Sequence, residues 1–147
     1  MTSSPTSPEH QAYLTLVRSS QQLTQQTIDL LKEHGLSGPQ FNVLRILRGA
    51  EPNGATCGEV IQKLMDVNRD PDVTRLLDNL EKQDLISRAR SNADRRVVVS
   101  RINTKGLELL SRIDQPMLDL HERQFAQLGE EKTRLLVELL KELTPQP

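Results

Sequence analysis

Tyr13, Phe41 and Phe125 are the only aromatic residues in this chain of 147, and tryptophan is absent. Proteins that hold single strands, and sheets that read RNA, stack bases on aromatic platforms. So few rings argue against both and leave double-stranded DNA as the better nucleic-acid partner. Cysteine occurs once, at Cys57, so no internal disulfide can form, and a reducing cytoplasm suits such a chain. No run of about 18 apolar residues occurs, so no membrane span is expected. The opening MTSSPTSPEH lacks the charged start and apolar run of a signal peptide, so export is not expected either. Enzyme signatures are missing as well: there is no G-x-S-x-G, Gly-rich phosphate loop, C-x-x-C or H-E-x-x-H, and His10, His34 and His121 are far apart. No catalytic residue, cofactor or metal ligand is therefore assigned.

What is present centres on Arg69 to Arg101. Val73, Leu76, Leu77 and Leu80 recur at i, i+3, i+4 and i+7, one apolar face of a helix. Arg75, Asp78, Asn79 and Lys82 take the opposite face, with Thr74 beside them. Asp70 as N-cap and Pro71 in the first helical position place the helix start within a residue of 71. After Leu85 the period changes to two, through Ile86, Arg88 and Arg90, a polar SNAD turn, and Val97, Val98, Val99 and Ile102; this predicts a β-hairpin. Residues 86 to 101 hold five arginines against one aspartate, a local +4 on a chain of formal charge -1. Arginine forks suit phosphates and a narrow minor groove. A plainer reading is a solvated hairpin whose charges keep a sheet edge from aggregating.

The preceding residues favour the first reading. Thr56 to Glu59 is a T-x-x-E capping box, followed by Val60, Ile61, Leu64 and Met65 as the buried stripe of a short helix. A helix, a short connector, a second amphipathic helix and a basic hairpin make the layout of a winged helix-turn-helix. On its outer face Thr74, Arg75 and Asn79 are placed for base edges or phosphates, with Asn68, Arg69 and Arg88 placed for phosphates. Asp72 and Asp78 repel phosphate, so they are expected to orient arginines or to accept from a cytosine amine. Cys57, in the first turn of its helix, is read as a packing residue, with redox sensing as the alternative.

Residues 72 to 106, DVTRLLDNLEKQDLISRARSNADRRVVVSRINTKG, resemble the MarR family of bacterial transcription regulators. The resemblance lies in a V-T-R recognition helix, a D-R-R wing and the helix start that ends at Gly106, and it extends from about Leu36 to Leu143. Asp84 stands where the family usually has glycine, and Asn103 where it has threonine. Asp tolerates φ > 0 and Asn caps as well as Thr, so neither departure disturbs the fold. The resemblance implies a D-x-R wing in which Asp94 holds Arg96 for the minor groove, with Arg95 as the alternate. It also implies dimerisation through the terminal helices, a repressor more often than an activator, and a pocket for a small phenolic or anionic effector. By position, Tyr13, Arg18, His34 and Phe41 are the candidates for that pocket.

The expected fold is mainly α with a small β-wing: residues 1–36 an N-terminal dimerisation helix, 37–102 the DNA-binding winged helix, and 103–147 C-terminal dimerisation helices. A helix over Glu9–His34 ends at Gly35, and an S-x-x-Q box at Ser37 opens the next, with Phe41, Val43, Leu44, Ile46 and Leu47 in the core. Gly49 to Ala55 reads as loop. Asn103 caps a helix over Thr104–Leu128, kinked at Pro116, whose buried side is Leu107, Leu110, Ile113, Met117, Leu118, Phe125 and Leu128. A last helix, Glu130–Leu143, carries a leucine stripe at 135, 136, 139, 140 and 143. One monomer offers too little core to cover these helices, so pairing about a two-fold axis and a pseudo-palindromic target are expected. The rival from another class is a winged-helix protein-interaction module without DNA binding.

Overall fold

The structure, a computed structural model, describes residues 7–65 and 72–144. Among them are six helices and one three-stranded sheet. The chain divides between Asp114 and Gln115 into two compact units.

Helix α1 spans Pro8–Glu33, with Ser7 accepting from the His10 N–H at 3.1 Å. It ends in a Schellman turn: Gly35 adopts φ 76°, and the Leu36 and Gly35 N–H groups donate to the Leu31 and Lys32 carbonyls. Leu31 and Leu36, which bracket that turn, are buried. Helix α2 spans Gly38–Gly49. Its capping box is reciprocal, the Ser37 N–H donating to Gln40 Oε1 at 2.9 Å and the Gln40 N–H to Ser37 Oγ at 3.2 Å. Phe41, Val43, Leu44 and Leu47 enter the core, while Ile46 is only half-buried.

The expected loop stops one residue early. Ala55 and Thr56 form a short strand, β1, with Ala55 opposite Ser100. Two residues cannot display a period of two, which is why the sequence pattern missed it. Thr56 also caps α3, Cys57–Met65, by accepting from the Glu59 N–H at 3.2 Å. Val60 and Leu64 of the expected stripe are buried, but Ile61 is exposed.

Helix α4 runs Val73–Lys82 and buries Val73, Leu77 and Leu80, with Leu76 half-buried. Its start differs from the expected one. Asp72 is the N-cap, its side chain accepting from the Arg75 N–H at 3.2 Å, so the helix begins later than residue 71. Asp70 and Pro71 lie outside the described residues. Asp is among the best caps wherever it falls, so residue type alone does not tell 70 from 72. The far end is a second Schellman turn, with Asp84 rather than glycine at φ 59° and the Leu85 N–H donating to the Leu80 carbonyl.

Strands β2, Ile86–Arg90, and β3, Val98–Ile102, pair antiparallel from Ile86 opposite Ile102 to Arg90 opposite Val98, and β3 lies between β1 and β2. Val97 lies outside the strand and closes the tip instead, its N–H donating to the Asp94 carbonyl and its carbonyl accepting from the Ser91 N–H.

Asn103 caps α5, Thr104–Phe125, accepting from the Gly106 N–H at 2.9 Å while its amide donates to the Asp84 carbonyl at 2.7 Å. Gly106 is required by packing: a Cβ there would strike the Leu85 carbonyl oxygen and Ile102. Pro116 lies inside the helix. The buried side of α5 is Leu109, Leu110 and Ile113; the expected Leu118 and Leu128 are exposed, and the helix ends at Phe125 rather than Leu128. Gly106, Leu109, Leu110 and Ile113 share that side at i, i+3, i+4 and i+7, and Leu107 is half-buried. In the second unit α6, Gly129–Leu143, buries no residue, and Leu135, Leu139 and Leu143 are exposed.

Candidate nucleic-acid interface

Because the apolar face of α4 is fixed in the core, its outer face is fixed too. Thr74 and Arg75 are exposed near the helix start, and Asn79 is half-buried one turn on. The two aspartates that sat awkwardly beside a DNA reading have other work. Asp72 caps the helix, and Asp78 accepts from the Arg88 guanidinium at 2.6 Å.

Arg88 itself was placed for phosphates by the sequence. In the fold it projects from β2 towards α4, and its Nη2 donates both to Asp78 and, at 2.9 Å, to Glu81. Its side chain is 24% exposed. The hydrogen bond from Arg88 holds the Glu81 carboxyl below the ordinary carboxylate range, and bonds to Glu81 and Asp78 raise the arginine further.

At the wing tip Asp94 grips Arg96 three times: it accepts from the Arg96 backbone N–H and Nε, both at 3.1 Å to Oδ1, and from Nη2 at 3.2 Å to Oδ2. The side chain of Arg96 is nevertheless 91% exposed. Its hydrogen bonds depress the Asp94 carboxyl. Arg95 is exposed, and its carbonyl accepts from Arg90 Nη1 at 2.8 Å. Arg90 thus staples the tip to the strand, a role the sequence reading missed although Arg88 and Arg90 stand two apart on one strand face. Glu81 was missed too; it lies three residues after Asp78, on the same side of α4. Asn68 and Arg69 lie outside the described residues.

The four effector candidates do not gather within one chain. His34 and Phe41 flank the α1–α2 turn, His34 Nδ1 bonding to the Leu30 carbonyl oxygen and Phe41 buried beneath the Arg45 guanidinium. Tyr13 and Arg18 are exposed on α1, 21 and 16 residues earlier. At a rise of about 1.5 Å per residue that is roughly 31 and 24 Å away. Among the described residues no group of His, Cys, Asp and Glu gathers that could hold a metal ion, and no helix is long and apolar enough to cross a membrane.

The sequence pattern of the transcriptional regulator SarA/Rot family matches residues 25–113, which hold α2, the three strands, α3, α4 and the wing. A solved structure of a MarR transcription factor from Planctomyces limnophilus is 32% identical, covers 92% of this chain and 96% of its own, and superposes with a TM-score of 0.71. The chain belongs to the MarR family, SarA/Rot type. Members of this family are transcription regulators, so this chain is a regulator and not an enzyme. The helix-turn-helix regulator MhqR of Bacillus subtilis is 27% identical over 133 residues, 88% of this chain and 86% of that protein. The fold is also that of MepR of S. aureus, solved in complex with DNA, at 23% identity, a TM-score of 0.74, and coverage of 90% of this chain and 94% of that one.

Proposed function

We propose that this MarR-family regulator binds duplex DNA as a homodimer, with α4 in the major groove and the wing in the adjacent minor groove. Thr74, Arg75 and Asn79 read base edges or phosphates, Asn68 and Arg69 in the connector reach phosphates, and Arg96 enters the minor groove beside Arg95. The observation that carries this reading is Arg96, held by three bonds to Asp94 yet almost wholly exposed: an arginine presented in a set direction with its charge unburied. MepR, of the same fold, has been solved on DNA.

Dimerisation is supported by unburied apolar side chains. In the first unit α1 buries only Leu31 and exposes Tyr13, Leu16 and Ile28; in the second, α6 exposes Leu135, Val137, Leu139 and Leu143. Fully burying a large apolar side chain contributes about 1.5–3 kcal/mol, and these, 38% to 65% exposed, have part of that still to gain. Residues 1–36 and 103–147 would then form the dimer around the 37–102 reading head. Two copies about a two-fold axis would carry two α4 helices to half-sites about one helical turn apart on a pseudo-palindrome. Repression, relieved by a small phenolic or anionic effector at a pocket that Tyr13 and Arg18 reach only from the second copy, completes the reading.

The test is selection of duplexes from a random library by the full chain, followed by affinity against salt. A preferred, pseudo-palindromic duplex bound with a steep fall in affinity as salt rises is expected, since each phosphate contact releases counterions. No preferred duplex and no salt-dependent binding would leave a protein-interaction module.

A further inference from the structure

We propose that Arg88, Asp78 and Glu81 form a brace that sets the tilt of the wing against α4, so that two acids beside the DNA raise affinity and sequence discrimination. The proposal rests on the DNA-binding reading above. One guanidinium nitrogen, Arg88 Nη2, bridges both carboxylates, at 2.6 and 2.9 Å. The three residues belong to the two elements that would grip adjacent grooves, β2 at the root of the wing and α4. On the same face of β2, Ile86 is buried in the core and Arg90 staples the tip, so Arg88 holds the position where the strand leaves the core.

The lever is long. Asp94 lies six residues beyond Arg88, up to about 20 Å of extended chain at roughly 3.3 Å per residue. A tilt of about 10° at the brace would carry the tip roughly 3 Å, more than the tolerance of a hydrogen bond. Partly exposed ion pairs contribute little to stability, so the brace acts on geometry more than on folding. Asp78 and Glu81 here act through Arg88 as positioning residues, with no contact to DNA of their own.

The acids make the test sharp, because electrostatics alone predicts the opposite sign. In D78N/E81Q two negative charges leave the neighbourhood of the phosphates, and simple Coulomb repulsion predicts tighter binding. The brace predicts at least fivefold weaker binding to the duplex selected by the wild-type chain, a smaller preference over a scrambled duplex, an unchanged salt slope, and a melting temperature within a few degrees of wild type. Arg88→Gln, which removes the cation shared by the two acids, should show the same loss. Equal or tighter binding by D78N/E81Q, or wild-type affinity from Arg88→Gln, overturns the proposal. So does a salt slope lowered by about 0.9 in Arg88→Ala, the mark of a phosphate contact. A library that returns no preferred duplex to the wild-type chain overturns the regulator reading itself, a different result from any of these.

Discussion

Gly106→Ala tests the joint that holds the wing root, the end of α4 and the start of α5 together. Helix propensity alone predicts stabilisation, since alanine is favoured over glycine in a helix by about 1 kcal/mol. The packing predicts the reverse. A methyl group at 106 would strike the Leu85 carbonyl oxygen and sit 2.7 Å from Ile102 Cγ1, whereas carbons make their best contact at about 3.5–4.0 Å. Ile102 is buried, and the Leu85 carbonyl is held in place by accepting from the Asn103 N–H at 3.1 Å, so neither atom can swing aside. Overpacking of a core costs about 1–3 kcal/mol, and a backbone obstacle puts this site at the upper end. Set against the propensity gain, the net loss is about 1–2 kcal/mol. For a chain of this size that lowers the melting temperature by about 2–8 °C. Thermal unfolding followed by circular dichroism at fixed protein concentration would read it. A melting temperature equal to or above that of wild type would refute the packing argument and with it the reason for glycine at 106.

Other predictions follow from the same geometry. Asp84→Gly should raise stability by about 0.5–1 kcal/mol, because it relieves a positive φ in a non-glycine residue while the Asn103 amide keeps the backbone carbonyl of 84 as its partner; chemical denaturation would show it. Arg96→Ala should weaken binding to the selected duplex at least tenfold and leave the melting temperature within a few degrees of wild type, the side chain being nearly all in solvent; unchanged affinity in an anisotropy titration would remove the wing from the mechanism. Asp94 and Glu81 titrate below their ordinary values in the folded chain, so their contribution is present above the unfolded carboxylate range and is lost as pH falls through the depressed values. Asp94→Asn and Glu81→Gln should therefore leave the shape of the stability profile unchanged from pH 7 to about pH 5 and flatten it only in stronger acid.

The sequence was most informative where a feature is local. The S-x-x-Q box at Ser37, the glycine turn at Gly35 and the cap at Asn103 each depend on residues within five positions and are found where the spacing placed them, and Asp84 takes the left-handed turn at the position where the resembling family has glycine. The 3.6 period of α4 and the switch to a period of two after Leu85 likewise stand in the fold. Features joining distant segments were not legible. Strand β1 is too short for any pattern and exists because β3 offers an edge at Ser100. The bond between Arg88 and Glu81 depends on how β2 crosses α4, so an arginine that looks free in sequence is engaged by two acids in space. The cap at Asp72 was not legible because Asp70 and Asp72 carry the same capping carboxylate. On α6 the leucines repeat at helical spacing, yet none of them is buried within the chain.

The most direct measurement of the DNA-binding account is a hydroxyl-radical footprint of the full chain on its selected duplex, compared between wild type and Arg96→Ala. Two protected half-sites are predicted, centred about 10–10.5 base pairs apart, each with a minor-groove flank that the Arg96→Ala protein no longer protects. A single asymmetric footprint, or flanks that persist without Arg96, would contradict it.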